Sequence, residues 1–420
     1  MEGVQNSSVI AALDIGTSKI SVAVAEVDDN GALSILGFGK VGANGIHAGS
    51  VQDVELAVDS IRSAVSEAEQ MSRRKITTVT AALTGKHLHC VNKTGQAPLP
   101  NAEVENNDIK RATRLAMTFD PKTDAESTDD RVVSHIIKGY TIDNDDTMIQ
   151  DPLGMAGSVL KAHAHLALGS DSVVINLVKC IRRASLDLEG LVLQPWASAA
   201  GVLTPTEKEL GVVLLDIGAG AVDIACYQGG NIEYTAVVPS GGDLITRDIA
   251  SILQCRIDDA EDIKLTYGHV GLRPEDNFEN ICYVNETTDK QTTANNAKVV
   301  EIIESRSVEM LRLIAQYYLA KDKWLARAAA GIVITGGVAR MPGFRELAET
   351  IFGLPVRIGQ PPIQKRSALT LENPEDATVV GVLLETVRRR NITGAVTSRS
   401  GRLDGFWGAM RRIVFGDFVS

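Results

Sequence analysis

Two segments of the chain combine a carboxylate with a glycine-containing turn in the same order. Residues 9–15 form an apolar run that contains Asp14 and leads into Gly16-Thr17-Ser18-Lys19, and residues 211–217 lead from Asp216 into Gly218-Ala219-Gly220. Backbone N–H groups of such a turn bind phosphate oxygens, and glycine lets the backbone approach closely. A carboxylate at the strand end holds Mg²⁺, mainly through water, and a lysine such as Lys19 reaches phosphate as a point charge. A single copy would indicate only an ordinary turn.

The two copies favour an internal duplication. A shift of 202 positions places Asp14 on Asp216 and Gly16 on Gly218, and the apolar alternation at positions 20, 22 and 24 falls on positions 222, 224 and 226. Repetition at a fixed offset indicates a duplicated unit, although two unrelated β-hairpins can match by chance. We therefore predict two related lobes that close on one polyphosphate from opposite sides.

A third glycine-rich element follows the short apolar run at residues 331–335. Gly336 and Gly337 stand at a strand end before a helix, where exposed backbone suits a flat base and a ribose. A tight strand–helix turn without a ligand remains an equal alternative from the residues alone.

Composition limits the class of protein. The 420 residues are 44% hydrophobic and 23% charged, with a net charge of −11, which argues against nucleic-acid binding by the body. The five cysteines are widely spaced and form no CxxC pair, as in a reducing cytosol. We find no signal peptide and no apolar stretch of about 20 residues that could span a bilayer. The sequence therefore predicts a cytoplasmic protein, unless it is anchored peripherally.

The elements around these turns alternate between strand and helix. Apolar spacing predicts helices over residues 53–71, 171–183, 299–318, 341–352 and 377–389, and strands near 32–38, 76–83 and 191–193. Residues 86–165 are polar and turn-rich, with strand patterns near 132–140 and 159–166, and read as an inserted subdomain. Residues 271–297 read as a loop, and residues 391–401, rich in Gly, Ser and Thr, as a flexible linker.

The three glycine elements resemble the two phosphate motifs and the adenosine motif of actin, the heat-shock chaperone ATPases and sugar kinases. More narrowly, the chain resembles the FtsA family of bacterial cell-division proteins, in stretches spread over most of its length. These stretches are residues 13–20, 151–157, 209–212, 239–243, 260–268 and 335–344. The Asp-Pro-Leu-Gly-Met stretch that begins at Asp151 lies in the inserted subdomain, which other actin relatives lack, and is the most discriminating.

The resemblance implies a set of site residues. Around the phosphates it places Asp14, Gly16, Thr17, Ser18, Lys19, Asp216, Gly218, Gly220 and Asp223, with Asp14 and Asp216 at Mg²⁺. Near the adenosine of ATP it places Gly336, Gly337 and Arg340, together with Glu261 and Lys264, for which a solvated helix face is the alternative. The charged residues Arg306 and Glu309 match positions that bind the tubulin-like division protein FtsZ, and a solvated face is again the alternative.

The resemblance also implies the fold and its division into domains. We expect an α/β, two-lobed actin-like fold of duplicated ribonuclease H-like units, with an inserted subdomain in the first lobe and a C-terminal amphipathic helix. The first-lobe core would take residues 1–85, 166–205 and 376–390, and the inserted subdomain 86–165. The second-lobe core would take 206–254 and 311–375, its tip 255–310, the linker 391–402 and the amphipathic helix 403–420.

Relatives of this kind bind ATP, assemble into protofilaments and tether FtsZ to the inner face of the membrane at the division site. We expect the same of this chain, with other division proteins recruited through the inserted subdomain. A sugar-kinase-like phosphotransferase would need an Asp base, which we do not find. A cell-shape filament protein of the same superfold would leave residues 151–157 unexplained. A nucleotide-binding regulator that does not polymerise stays open.

Two departures from the family pattern weaken the case for hydrolysis. Where many relatives have Gly-Gly-Gly-Thr-Thr-Asp, this chain has Gly218-Ala219-Gly220-Ala221-Val222-Asp223, without the threonine hydroxyls. Ala200 stands where many relatives have a glutamate, a carboxylate suited to position the attacking water. A general base must reach that water, and Gln194 is the one weak candidate. We therefore predict ATP binding with weak or absent hydrolysis, so that the nucleotide acts as a switch.

The C-terminal residues differ from the acidic body. Residues 388–420 carry seven Arg and two Asp, a net +5, which leaves −16 for the rest of the chain. At 100° per residue one face, about 140° wide, collects the large apolar side chains, with Arg411 beside it. These side chains are Leu403, Phe406, Trp407, Met410, Ile413, Val414 and Phe418. A basic, aromatic-rich amphipathic helix predicts an in-plane anchor on an anionic membrane, and a helix docked on the protein's own core is the alternative.

Overall fold

Two five-stranded mixed sheets form the centre of the protein. The structure, a computed structural model, describes residues 8–28, 31–362 and 369–399, with side chains up to residue 390. The strands are β1 (Ser8–Ile15), β2 (Lys19–Val27), β3 (Leu33–Gly42), β4 (Ile46–His47), β5 (Ser50–Val51), β6 (Thr78–Leu83), β7 (His89–Pro98), β8 (Asp130–Ile142), β9 (Val159–Ser170), β10 (Asp187–Leu193), β11 (Val212–Ile217), β12 (Val222–Gln228), β13 (Asn231–Val238), β14 (Asn280–Asn285), β15 (Lys290–Asn295), β16 (Ile332–Thr335) and β17 (Val356–Ile358).

Helices cover the sheets and join them. They are α1 (Val54–Ser72), α2 (Asn106–Ala116), α3 (Asp171–Arg183), α4 (Gln194–Val202), α5 (Pro205–Leu210), α6 (Gly242–Leu253), α7 (Ile257–Tyr267), α8 (Asn296–Leu313), α9 (Trp324–Arg327), α10 (Phe344–Phe352) and α11 (Ala377–Arg399). A π-helical segment, Ile314–Leu319, continues α8, and 3₁₀ turns occupy Pro274–Asn277, Val338–Arg340 and Pro374–Asp376.

The two sheets share one topology. The first-lobe sheet has the order β3-β2-β1-β6-β10 and the second-lobe sheet the order β13-β12-β11-β16-β17. In each, the central strand pairs antiparallel with the strand that follows it and parallel with a later strand. The central strands are almost wholly apolar and buried, as expected where helices cover a sheet. The same strand order around Asp14 and Asp216 supports the predicted duplication.

The chain passes between the lobes through two helices that touch closely. Helix α4 follows β10 of the first lobe and leads towards the second, and α11 returns from the second lobe to pack on β1, β2 and β6. A Cβ added to Gly201 of α4 would meet the carbonyl oxygen of Ala377, and one added to Gly381 of α11 would meet that of Ala197. The backbones are thus in contact without side chains between them, which only glycine permits.

The inserted segment forms a three-stranded sheet, β7-β9-β8, covered by α2. It has a small core of its own, which includes Ala112, Leu160 and Leu166. Strand patterns predicted β8 and β9, whereas β7 and α2 were missed because polar side chains dominate both segments. The sheet also contacts β13 of the second lobe: Lys138 Nζ lies 2.7 Å from both carboxylate oxygens of Glu233.

Two predictions about connecting segments are wrong. The region predicted as a loop, residues 271–297, holds a 3₁₀ turn and the β14–β15 hairpin. Its strands bury little beyond Ile281 and Ala294, so their apolar alternation is too weak to be read. The predicted linker, residues 391–402, is helical as far as Arg399, because α11 continues ten residues beyond Arg389. One glycine, Gly394, is too few to end a helix already formed.

Candidate nucleotide site

The two predicted phosphate turns have the same local geometry and face each other. Gly16 N donates to Lys19 O at 3.0 Å, and 202 positions later Gly218 N donates to Ala221 O at 3.0 Å. A Cβ added to Gly220 would lie 2.5 Å from Oγ1 of Thr17 on the opposite turn. The exposed Ser18 completes the first turn. The structure therefore brings the two turns together, and the close approach of Thr17 favours glycine at Gly220.

Asp14 lies at the base of the first turn with an unsatisfied oxygen. Its side chain is 5% exposed, and Oδ1 has no hydrogen-bond partner. Burial, reinforced by the charges of Asp216 and Asp376 and opposed by Lys19, raises the pKa of Asp14 to about 7. A buried carboxylate without a partner is costly, and a nearby cation would relieve that cost.

Asp216 is held by side chains from both lobe-joining helices. Its Oδ2 accepts hydrogen bonds from Ser198 Oγ of α4 and from Thr378 Oγ1 of α11, the latter at 3.1 Å. Burial raises the pKa of Asp216, and hydrogen bonds from Ser198, Thr378 and Gln194 oppose that rise. Gln194 therefore lies at this carboxylate, but its amide takes up no proton and suits orientation rather than base catalysis.

The carboxylate pair fits Mg²⁺ held largely through water. The described part of the chain contains no group of three or more His, Cys, Asp or Glu placed to bind a metal directly. Mg²⁺ commonly keeps several waters and takes one or two carboxylates together with substrate phosphates. Asp14 and Asp216, on opposite turns and electrostatically coupled, supply such a pair, and the free Oδ1 of Asp14 is the oxygen available.

Asp223 lies deeper than the prediction assumed. It pairs with Asp216 across the β11–β12 ladder, is 1% exposed, and accepts a hydrogen bond of 2.7 Å from Thr84 Oγ1. Burial, together with the charges of Asp216 and Asp14, raises the pKa of Asp223 well above its usual range. Because Thr84 belongs to the first lobe, this hydrogen bond joins the two lobes directly behind the turns.

The predicted adenosine residues fall into two groups. Lys264 Nζ lies 2.6 Å from Glu261 Oε2, 2.8 Å from Thr246 Oγ1 and 3.3 Å from the carbonyl oxygen of Gly242. Gly336, at φ +85°, sits against the site: an added Cβ would lie 2.5 Å from Asp216 Oδ1, whereas Gly337 faces open space.

Arg340, predicted near the adenosine, belongs to a charge cluster that the sequence did not indicate. Glu375 Oε1 lies 2.6 Å from Lys40 Nζ and 3.2 Å from Arg340 Nη1, and Oε2 lies 3.4 Å from Lys19 Nζ. Lys19 Nζ also donates to the backbone carbonyl of Glu375 at 2.9 Å. One carboxylate thus contacts three cations, including the predicted phosphate lysine.

A cavity of about 230 Å³ lies between the lobes beside the second turn. Gly220, Gly241 and Arg247 line it from the second lobe, and His47 and Lys86 from the first. Its position next to Gly220 makes it continuous with the phosphate end of the site.

The predicted FtsZ-contact residues, Arg306 and Glu309, form an ion pair with each other. Arg306 Nη1 lies 2.8 Å from Glu309 Oε2, and Arg306 makes a two-pronged ion pair with Asp248 at 2.5 and 3.0 Å. A groove beside them is lined by Glu309, Arg312 and Tyr317, which is 75% exposed. The amphipathic residues 403–420 lie outside the described residues. Within the described part, no helix has the length and apolarity needed to cross a bilayer.

Family models match two parts of the chain. Residues 213–381 match the model of the cell division protein FtsA, and residues 85–168 match the SHS2 domain inserted in FtsA.

Solved structures share the fold at low sequence identity. The PilM–PilN type IV pilus biogenesis complex has a TM-score of 0.61 at 17% identity, covering 90% of this chain and 98% of that one. MreB5 of Spiroplasma citri bound to ADP has a TM-score of 0.54 at 14% identity, covering 92% and 98%. These likenesses confirm the predicted actin-like fold.

Full-length relatives decide the family. The cell division protein FtsA of Neisseria meningitidis serogroup B is 36% identical over 94% of this chain and 96% of its own length. Those of Pseudomonas aeruginosa and Escherichia coli K12 are 35% and 33% identical, covering 93% and 89% of this chain and 92% and 89% of their own lengths. The predicted resemblance is confirmed, and the chain belongs to the FtsA family.

Proposed function

We propose that this protein is an ATP-binding, actin-like component of the bacterial division machinery. The observation that carries the nucleotide site is the pair of matching turns, brought face to face over Asp14 and Asp216. The unsatisfied Oδ1 of Asp14 supports a cation there. Membership of the FtsA family, whose relatives are named for cell division, carries the biological role.

Different residues of the chain would bind different parts of the nucleotide. Asp14 and Asp216 would hold Mg²⁺ through water, and the two turns with Lys19 would bind the phosphates. Gly336, Gly337, Glu261 and Lys264 would lie against the adenosine. The nucleotide supplies negative charge that both lobes contact at once, so its presence would favour the closed arrangement over an open one.

Slow or absent hydrolysis is part of the proposal. Ala221 and Val222 offer no hydroxyl to the phosphates, and Ala200 offers no carboxylate to a water. Gln194, close to Asp216, would orient water without accepting its proton.

We further propose that the protein polymerises and tethers FtsZ to the cytoplasmic face of the membrane at the division site. Residues 403–420 would lie on anionic lipid, and Arg306 with Glu309 would lie at the FtsZ contact. Residues 86–165 would recruit other division proteins. Each large apolar side chain adds about 1.5–3 kcal/mol when fully buried, and each basic residue about 1 kcal/mol near an anionic surface. Partial burial and helix formation offset much of this, so attachment would be reversible.

Vesicle flotation tests the tether. The full chain and a chain ending at Gly401 are mixed with anionic vesicles and FtsZ, with and without Mg-ATP. We expect only the full chain to float and to carry FtsZ with it, more strongly with Mg-ATP if polymers add avidity. Equal flotation of both chains, or of neither, would contradict the anchor. Flotation of the chain without FtsZ would contradict the tether alone.

A further inference from the structure

The charge cluster around Glu375 overlaps the proposed phosphate site, because Lys19 belongs to both. Lys19 begins β2 beside the first turn, and Lys40 lies on β3 of the same lobe. Arg340 ends the 3₁₀ turn that follows Gly336 and Gly337 in the second lobe. Glu375 belongs to the connection that returns the chain to the first lobe before α11. Its carboxylate therefore joins cations of both lobes at the mouth of the cleft.

The charges of this cluster do not balance. Three cations surround one carboxylate, which leaves a net charge of +2 before Asp14 and Asp376 are considered. The side chains of Lys19 and Glu375 are only 20% and 17% exposed, so solvent screens them weakly. Burial lowers the pKa of Lys19, and the Glu375 carboxylate opposes that effect. Among the neighbouring carboxylates, Glu375 contributes most to favouring the charged form of this phosphate lysine, ahead of Asp14 and Asp376.

The geometry of the contacts resembles that of a bound phosphate group. One oxygen of Glu375 receives Lys40 and Arg340 together, and the other faces Lys19. A phosphate accepts charge-assisted hydrogen bonds from several cations in the same manner.

Resting on the proposed nucleotide function, we propose that Glu375 is a resident anion that a nucleotide's phosphates displace from Lys19, Lys40 and Arg340. Glu375 then sets the affinity for polyphosphates, and Lys40 and Arg340 become phosphate contacts when it is displaced. The bridge between the lobes persists through this exchange, because the phosphates take over the cations that Glu375 releases. Glu375 acts as a positioning residue, since it competes for the cations that bind the ligand.

The sign of one substitution separates this role from a structural one. Glu375→Gln keeps the shape and one acceptor oxygen but removes the competing charge. We expect ATP affinity, measured by titration calorimetry on the full chain, to rise about tenfold, which corresponds to about 1.4 kcal/mol. The gain should be smaller for ADP, absent for adenosine, and reduced at high ionic strength. If Glu375 merely held Lys40 and Arg340 in place, the same change would weaken ATP binding.

Two further variants complete the test. Glu372→Gln removes an exposed carboxylate three residues earlier and should leave all affinities unchanged. Adding Lys40→Gln to Glu375→Gln should remove most of the gain if Lys40 becomes a phosphate contact. Melting temperatures close to that of the unmodified chain would show that each variant is folded.

Inorganic tripolyphosphate distinguishes failure of this inference from failure of the proposed function. If the unmodified chain binds ATP and Glu375→Gln binds it no better, the inference is wrong and the function stands. If no form binds ATP but Glu375→Gln gains tripolyphosphate binding, the displaced-anion role stands and the nucleotide function fails. If no form binds either ligand, both are wrong.

Discussion

Protonation of a single buried histidine should weaken the contact between the inserted sheet and the second lobe. His165 on β9 is 1% exposed, with Nδ1 2.8 Å from Asn92 Oδ1 and Nε2 2.9 Å from Thr235 Oγ1. Trp196 Nε1 donates to the same Thr235 oxygen at 3.0 Å. Because Trp196 can only donate, the network closes when Thr235 donates to a bare Nε2 and Nδ1–H donates to Asn92. That arrangement needs a neutral imidazole.

The size and sign of the effect follow from the pKa of His165. Burial, aided by the positive charge of Lys138, lowers the pKa of His165 from 6.5 to about 3. Between these values the unfolded chain binds the proton more strongly, so stability falls as the pH drops below 6.5. At about 1.4 kcal/mol for each pH unit, the loss at pH 5 is about 2 kcal/mol.

Denaturant unfolding at pH 7 and pH 5, followed by tryptophan fluorescence, measures this loss. We expect the unmodified chain to lose about 2 kcal/mol more than His165→Gln on acidification, since glutamine has no proton to gain. His165→Gln should be less stable at pH 7 by about 1–3 kcal/mol, because the amide replaces the ring's hydrogen bonds imperfectly. His47→Gln, at an exposed histidine, should retain the full pH dependence. Other titrating groups cancel in the comparison, so an equal loss in His165→Gln would refute the reasoning.

Three further outcomes are expected. Removing one partner of the Lys138–Glu233 pair, by Lys138→Met or Glu233→Gln, should lower the free energy of unfolding by about 1–3 kcal/mol. The loss is smaller than for a fully buried pair because Glu233 is 28% exposed. In a double-mutant cycle measured by denaturation, the double variant should recover part of the lost stability. Gly220→Ala should weaken ATP binding in calorimetry, because its Cβ would lie 2.5 Å from Thr17 Oγ1 and would displace that side chain. Gly42→Ala, with nothing within 4 Å, should bind normally. Asp14→Asn should raise the free energy of unfolding at pH 8 by at most about 4 kcal/mol, because burial raises the pKa of Asp14 from 3.8 to about 7. This gain should shrink towards pH 5, and the affinity for Mg-ATP should fall in the same variant. An unchanged or lower stability at pH 8 would contradict an uncompensated charge at Asp14.

The parts of the site that the sequence predicted are local in the chain. Each phosphate turn lies within a few residues of its aspartate, and the pattern of aspartate and glycine could be recognised because the duplication repeats it. Gly336 and Gly337 follow directly from a short buried strand. The structure brings these three segments together as expected.

The residues that sequence reasoning missed come together only through the tertiary fold. Thr84, Ser198 and Thr378 each supply a single hydroxyl to a buried aspartate, from segments that carry no motif of their own. Glu375 meets Lys19 across 356 positions of chain, and in the sequence it is one acidic residue among many. The need for hydrogen-bond donors could have been inferred from the buried carboxylates, but the residues that donate could not be located without the fold.

Helix α11 runs without a break from the buried aspartates of the site towards the C-terminal residues of the chain. Its second residue, Thr378, binds Asp216, and the helix continues to Arg399, a length of 23 residues or about 35 Å. Where α11 crosses α4, Gly381 brings the two backbones into direct contact. A small rotation of α11 near Asp216 would therefore displace its C-terminal end by a larger distance, in proportion to the length of the helix. Residues 400–420 attach at that far end, so the proposed membrane segment would sense the nucleotide mechanically, through its angle to the body.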